Sequence, residues 1–473
     1  MRSNSTRTYK LFCGAALCAM TANAFAPIAA AAAAGGESGS NDGNTTTPIK
    51  HVIVIIGENR SFDHLFATYQ PVNKGESVLN LLSEGIVKAD GTPGPNYASV
   101  AQFQAQNTVA YQISPSGKSQ YTTLPAPLAG GGPPPFSNIE DASTYENGLP
   151  LSYYQYLTTG AVPPSLIGKP DVRITYNGKD VNNLAPGPYQ LTPGVGYDDY
   201  AESPVHRFYQ MWQQFDCSAS TGCLNDLIPW VEATVGAGSN GKPPLADFTY
   251  EEGATSMGFY NVQQGDVPYF KMLADTYAMS DNYHQPVMGG TGPQHIMLGT
   301  GDAIWFSDGN GNPLQPPHNQ MVAAGSPNAG VVDEIENPNP LSGTNNWYTQ
   351  DGYGGGSYGS ASYGGGSYSA CADTSQPGVA AIVDYLTSIN VKPNCDPGHY
   401  YILNNYNPGY YGDGTNAYAD ISNPLNTVFT VPPSSVRNIG DTLLAKNITF
   451  AYFGDQFNAY LANPYNNYVT PDN

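Results

Sequence analysis

IKHVIVIIGENRSFDHLFATY, residues 49–69, decides the fold class. Its first eight residues, IKHVIVII, are a short β-branched run of the kind that fits a strand buried on both faces. Gly57 turns the chain. Ser61 is placed to cap a helix, and Phe62, Leu65, Phe66 and Tyr69 share one side of it. Strand, loop and helix in this order make one α/β unit, with Glu58 and Asn59 where the strand ends. Open α/β sheets bind ligands beyond those carboxyl ends.

Further units follow along the chain. In PVHRFYQMWQQF, 204–215, the residues Val205, Phe208, Tyr209, Met211, Trp212 and Phe215 recur near helical spacing. VPYFKMLADTYAMSDNY, 267–283, predicts a helix leading into an extended segment that delivers the chain to Gly289-Gly290-Thr291-Gly292-Pro293. Pro293 suits the first turn of a helix running to about Gly299. Val379, Ile382, Val383, Leu386 and Ile389 describe one helix face, and HYYILNN, 399–405, resembles a strand. Ser434 and Ser435 are placed to cap a helix through Leu444, ahead of a strand in NITFAYFG, 447–454. The alternation predicts α/β architecture, a mostly parallel central sheet flanked by helices. With 53 glycines and 40 prolines, long loops separate these elements: residues 86–200 read as an insertion, and YGGGSY, at 353–358 and 363–368, as a surface loop.

Only 12% of the 473 residues are charged, and the net charge is −21. That balance excludes a nucleic-acid binder and repels phosphate backbones and anionic lipid surfaces at long range, although a bound metal reverses the sign locally. Arg2, Arg7 and Lys10 precede an apolar stretch from Leu11 to Ala22, with Asn23 and Ala24 after it, the order of a secretory signal over 1–24. The stretch is too short to span a bilayer, so no stable membrane anchor is expected. A flexible leader, 25–48, follows, and the chain is expected to be secreted or periplasmic. Cys13 and Cys18 fall in the signal. The remaining Cys217, Cys223, Cys371 and Cys395 allow three pairings, of which the local loops 217–223 and 371–395 are preferred.

Three groups of residues are equipped for chemistry. Glu58 and Asn59 offer carboxylate and amide oxygens suited to a hard or borderline divalent cation; the competing reading is a polar turn in which Arg60 neutralises Glu58 and Asp63. Thr291 sits between glycines at a helix start, where backbone N–H groups favour an anion, and its hydroxyl needs a metal or a base to act as a nucleophile. The competing reading is a capping hydroxyl in a tight turn. Among the histidines, His206, His284 and His295 fall in these segments, where one can donate a proton to a leaving oxygen; His295 lies about one turn after Thr291.

ENRSFDH and its surroundings, 49–69, resemble the opening signature of the bacterial phosphoesterase family of secreted phospholipases C and acid phosphatases, within the alkaline phosphatase superfamily. DTYAMSDNYHQPVMGGTGPQHIMLGTG, 275–301, resembles that family's second block, in which a Ser or Thr nucleophile follows a Gly or Pro turn. The resemblance implies an alkaline-phosphatase-like fold and a divalent metal held by Glu58 and Asn59. It also implies that Thr291 touches this ion and attacks phosphorus to form a phosphoenzyme. SPVHRF, 203–208, is similar to a histidine-bearing block, which makes His206 a candidate for holding a phosphate oxygen or protonating the leaving group. The implied substrate is a phosphate ester, with a phospholipid or choline phosphoester ahead of a soluble phosphomonoester.

The family's last block, an acidic pair followed by glycines and a later histidine, has no counterpart here. Asp333-Glu334 lacks the glycines, and Asp198-Asp199 precedes the nucleophile block. Residues 49–473 are therefore expected to form a C-terminally incomplete phosphoesterase domain. The alternative is a catalytically impaired family member acting as a secreted binding or surface protein.

Overall fold

The computed structural model describes residues 40–58, 60–106, 111–127, 136, 138–145, 154, 158, 172, 174–175, 181–195, 206–235, 253–316, 367–376, 378–404, 431 and 434–453. Asn59, the expected signal, the leader through residue 39 and residues 353–366 of the YGGGSY tract lie outside them.

Helices form where apolar spacing and local caps coincide. Phe62–Phe66 begins at Ser61, whose hydroxyl accepts the His64 N–H at 3.3 Å. Phe208–Phe215, Pro268–Thr276, Thr291–Thr300 and Val379–Ser388 follow. The last, Ile439–Leu444, starts later than Ser434 and Ser435 imply, because Asn438 and Asp441 build a reciprocal cap there.

Apolar clusters hold the helices before Ile439–Leu444. Phe62, Leu65 and Phe66 pack on a core that includes Tyr69, Leu184, Tyr189, Leu191 and Tyr260. Much of that core comes from the tract read as an insertion, which is thus part of the interior. Tyr209, Val379, Ile382 and Leu403 form a second cluster, and Ile304, Phe306, Tyr368 and Ile402 a third, against which Ile296 packs. The segment 401–404 therefore spans two cores.

Among the described residues, strands pair in four two-stranded ladders, beside the isolated bridges Val87–Pro93, Trp305–Tyr401 and Ser307–Pro313. Phe103–Ala105 with Lys118–Gln120, Cys217–Ser218 with Gly222–Cys223, and Tyr368–Ser369 with Tyr401–Ile402 are antiparallel. Tyr189–Gln190 with Gly258–Phe259 is parallel. Residues 49–56 join none of these ladders, and Ile53 is 86% exposed with Val52, Val54 and Ile55 also bare. Phe450, Tyr452 and Phe453, in the second segment predicted as a strand, are exposed as well. The approach to the first segment is tied to the start of the second: the Asn41 N–H donates to the Asn447 carbonyl at 2.8 Å, and Asp42 accepts the Thr449 N–H at 2.7 Å. Disulfides join Cys217 to Cys223 and Cys371 to Cys395, the preferred pairing. No helix of the described residues is long and apolar enough to cross a membrane.

Candidate active site

The helix Thr291–Thr300 organises the site, and the glycines before it fix where it starts. A side chain on Gly289 would collide with the carbonyl oxygen of Leu403, so the turn lies directly on that backbone. The Gly290 N–H donates to the same oxygen at 3.0 Å. Gly290 occupies the cap position, which leaves the Thr291 hydroxyl with a different neighbour: it lies 3.3 Å from Nε2 of His206. The reading of Thr291 as the capping hydroxyl is thereby replaced.

His206 immediately precedes the entry to Phe208–Phe215. The Phe208 N–H donates to Oδ1 of Asn404 at 3.0 Å, and Asn404 is fully buried. Two adjacent residues, Leu403 and Asn404, thus hold the turn before Thr291 and the helix start beside His206. Sequence reading took HYYILNN only as a strand. The signal for its role was Asn404, a polar residue closing an apolar run, as Glu58 closes IKHVIVII.

His295 follows Thr291 by four residues, on the same helix face. Its Nε2 lies 3.2 Å from Oε2 of Glu58, with 65% of the His295 side chain and 35% of the Glu58 side chain exposed. One helix face thus gathers Thr291 with His206 and, a turn later, His295 with Glu58. His284 is exposed and bonds Oδ1 of Asn282 at 2.7 Å, while His399 packs its ring against Trp305. Neither bonds to the Thr291 hydroxyl or to the Glu58 carboxylate.

A few residues after Glu58 in the chain, two ionisable groups are pushed toward their neutral forms. Burial raises the Asp63 carboxyl to about 6, against the opposing hydrogen bond from the Leu81 N–H. Burial, then the charge of Arg60, lowers the His64 imidazole to about 4, although its contact with the Gly258 carbonyl at 2.9 Å opposes the shift. Oxygen donors for a cation are the Glu58 carboxylate and the Thr291 hydroxyl; Asn59 lies outside the described residues. Among the described residues, no three His, Cys, Asp or Glu side chains cluster as a metal site.

The sequence profile of the phosphoesterase family matches residues 49–162 and 168–472, most of the chain. The chain belongs to the phosphoesterase family. A 101-residue stretch of the chain is 32% identical to the hemolytic phospholipase C of Pseudomonas aeruginosa, covering 21% of the chain and 13% of that relative's length. No solved structure matches the chain.

Proposed function

We propose that the chain is a secreted, metal-dependent phosphoesterase that cleaves phosphate esters through a phospho-threonine intermediate on an alkaline-phosphatase-like α/β scaffold. The observation that supports this most directly is the Thr291 hydroxyl at the first position of a ten-residue helix, 3.3 Å from the His206 imidazole. The helix start favours the phosphoryl oxygens, because its first N–H groups and its dipole face the anion. His206 takes the hydroxyl proton as Thr291 attacks phosphorus, and the departing oxygen, on the opposite side of phosphorus, takes its proton from water. Water hydrolyses the phospho-threonine in the second half of the cycle.

A bound divalent cation would supply charge compensation for the phosphoryl oxygens, and Glu58, Thr291 and Asn59 are the side chains proposed to hold it. The preferred substrate is a phospholipid or choline phosphoester, the substrate class that the similarity to a phospholipase C supports. A soluble phosphomonoester is the competing substrate. Side-by-side assays of phosphocholine release from phosphatidylcholine and of free phosphate from a phosphomonoester separate them. The expected result is phosphocholine release that EDTA abolishes and a divalent salt restores. Hydrolysis indifferent to EDTA would remove the metal from the proposal. A folded chain that cleaves neither ester would turn the reading to a secreted binding protein.

A further inference from the structure

We infer that His295 is a ligand of the divalent cation, completing with Glu58 and Thr291 a mixed nitrogen and oxygen site that selects a transition metal of the zinc class. The inference rests on the metal-dependent reading above and adds to it a ligand and a metal preference.

Three observations carry it. First, Glu58 Oε2 and His295 Nε2 are 3.2 Å apart. Two donors bound to one ion at about 2.1 Å stand roughly 3.0 Å apart at a right angle and about 3.4 Å apart at the tetrahedral angle. The observed separation falls between these edges, so the pair can close on an ion with little movement. Second, Thr291 and His295 are four residues apart on one helix, the spacing that lets two side chains share an ion from one face. Glu58 approaches that face from a segment 237 positions away. Third, the pair does not serve stability: the His295 side chain is 65% exposed, and ion pairs in that setting contribute little. An imidazole among oxygens changes the metal expected, since calcium and magnesium prefer all-oxygen sites while imidazole suits zinc and its neighbours.

The test uses the full chain loaded with one equivalent of zinc, with absorption at the zinc K-edge reporting imidazole scattering and competition with a chelating dye reporting affinity. Wild type is expected to show an imidazole ligand. His295→Gln should lose that signature and bind zinc at least about tenfold more weakly, while His206→Gln should keep both. Far-UV circular dichroism confirms that each variant is folded, as expected for a change at the exposed His295. An imidazole signature and affinity unchanged in His295→Gln would overturn the inference. So would their loss in His206→Gln instead, or a wild-type chain that binds no zinc. Should Glu58→Gln lose zinc while His295→Gln retains it, the inference falls and the metal-dependent reading stands.

Discussion

Thr291→Val keeps the branched shape of the side chain and removes the hydroxyl that lies 3.3 Å from His206. Turnover of either ester is expected to vanish in this variant and to persist in Thr291→Ser, which retains a hydroxyl for the attack. Because Gly290 is the cap residue, the valine variant should lose less than the roughly 1 kcal/mol of a deleted cap, as a urea midpoint will show. Wild-type turnover by folded Thr291→Val would exclude the hydroxyl from the chemistry. A second residue-scale prediction concerns Asp63 and His64. Asp63 titrates near 6 in the fold against its ordinary 3.8, so its contribution to stability is present below about pH 4 and lost as pH rises through 6. His64 titrates near 4 against its ordinary 6.5, so its contribution is present above pH 6.5 and lost as pH falls through 4. The slopes oppose each other between pH 4 and 6. Asp63→Asn should expose the histidine's slope alone, a stability loss of up to about 3 kcal/mol on acidification from pH 7 to 4. A flat profile in that variant would mean that His64 is not kept neutral by the fold.

Helices were legible because their determinants are local: Ser61 and the Phe62, Leu65, Phe66 face lie within one stretch, and Val379 to Leu386 carry their own period. Ladders with a remote partner were not; Tyr189–Gln190 pairs with Gly258–Phe259, beyond the Phe208–Phe215 helix in the chain. The same asymmetry governs the site. Glu58, Thr291 and His206 announced themselves by residue type beside a turn or helix start, whereas the supporting role of Leu403 and Asn404 depends on contacts that no spacing encodes. The segment 49–56 offers a test at this scale. Left at 86% exposure, Ile53 would tolerate an aspartate within about 0.5 kcal/mol. The proposed scaffold instead covers the bare run Val52 to Ile56 in a sheet, as so long an apolar stretch requires in water, and there a carboxylate costs several kcal/mol. Expected for Ile53→Asp is a large fall in the urea midpoint; a neutral result would return 49–56 to the surface and withdraw the strand.

A net charge of −21 acts on the molecule as a whole. It opposes the approach of a dianionic phosphomonoester and leaves a zwitterionic phosphocholine ester nearly unaffected. The phosphomonoester's kcat/KM should therefore rise as sodium chloride goes from 10 to 150 mM and the screening length shrinks from about 30 to about 8 Å, with the phosphocholine ester's nearly constant. Equal salt responses would show that the local field of the site, rather than the net charge, governs encounter. The disulfides add a property of a different kind. Cys217–Cys223 and Cys371–Cys395 each close a small ring within one stretch of chain, and neither ties the first half to the second. A protease cut anywhere between 224 and 290 would leave Glu58 on one fragment and Thr291 on the other, with no covalent bond through these bridges between them. Such fragments would migrate apart on a denaturing gel run without reductant. Any activity the nicked protein kept before denaturation would then be that of a two-chain enzyme held together by packing and hydrogen bonds alone.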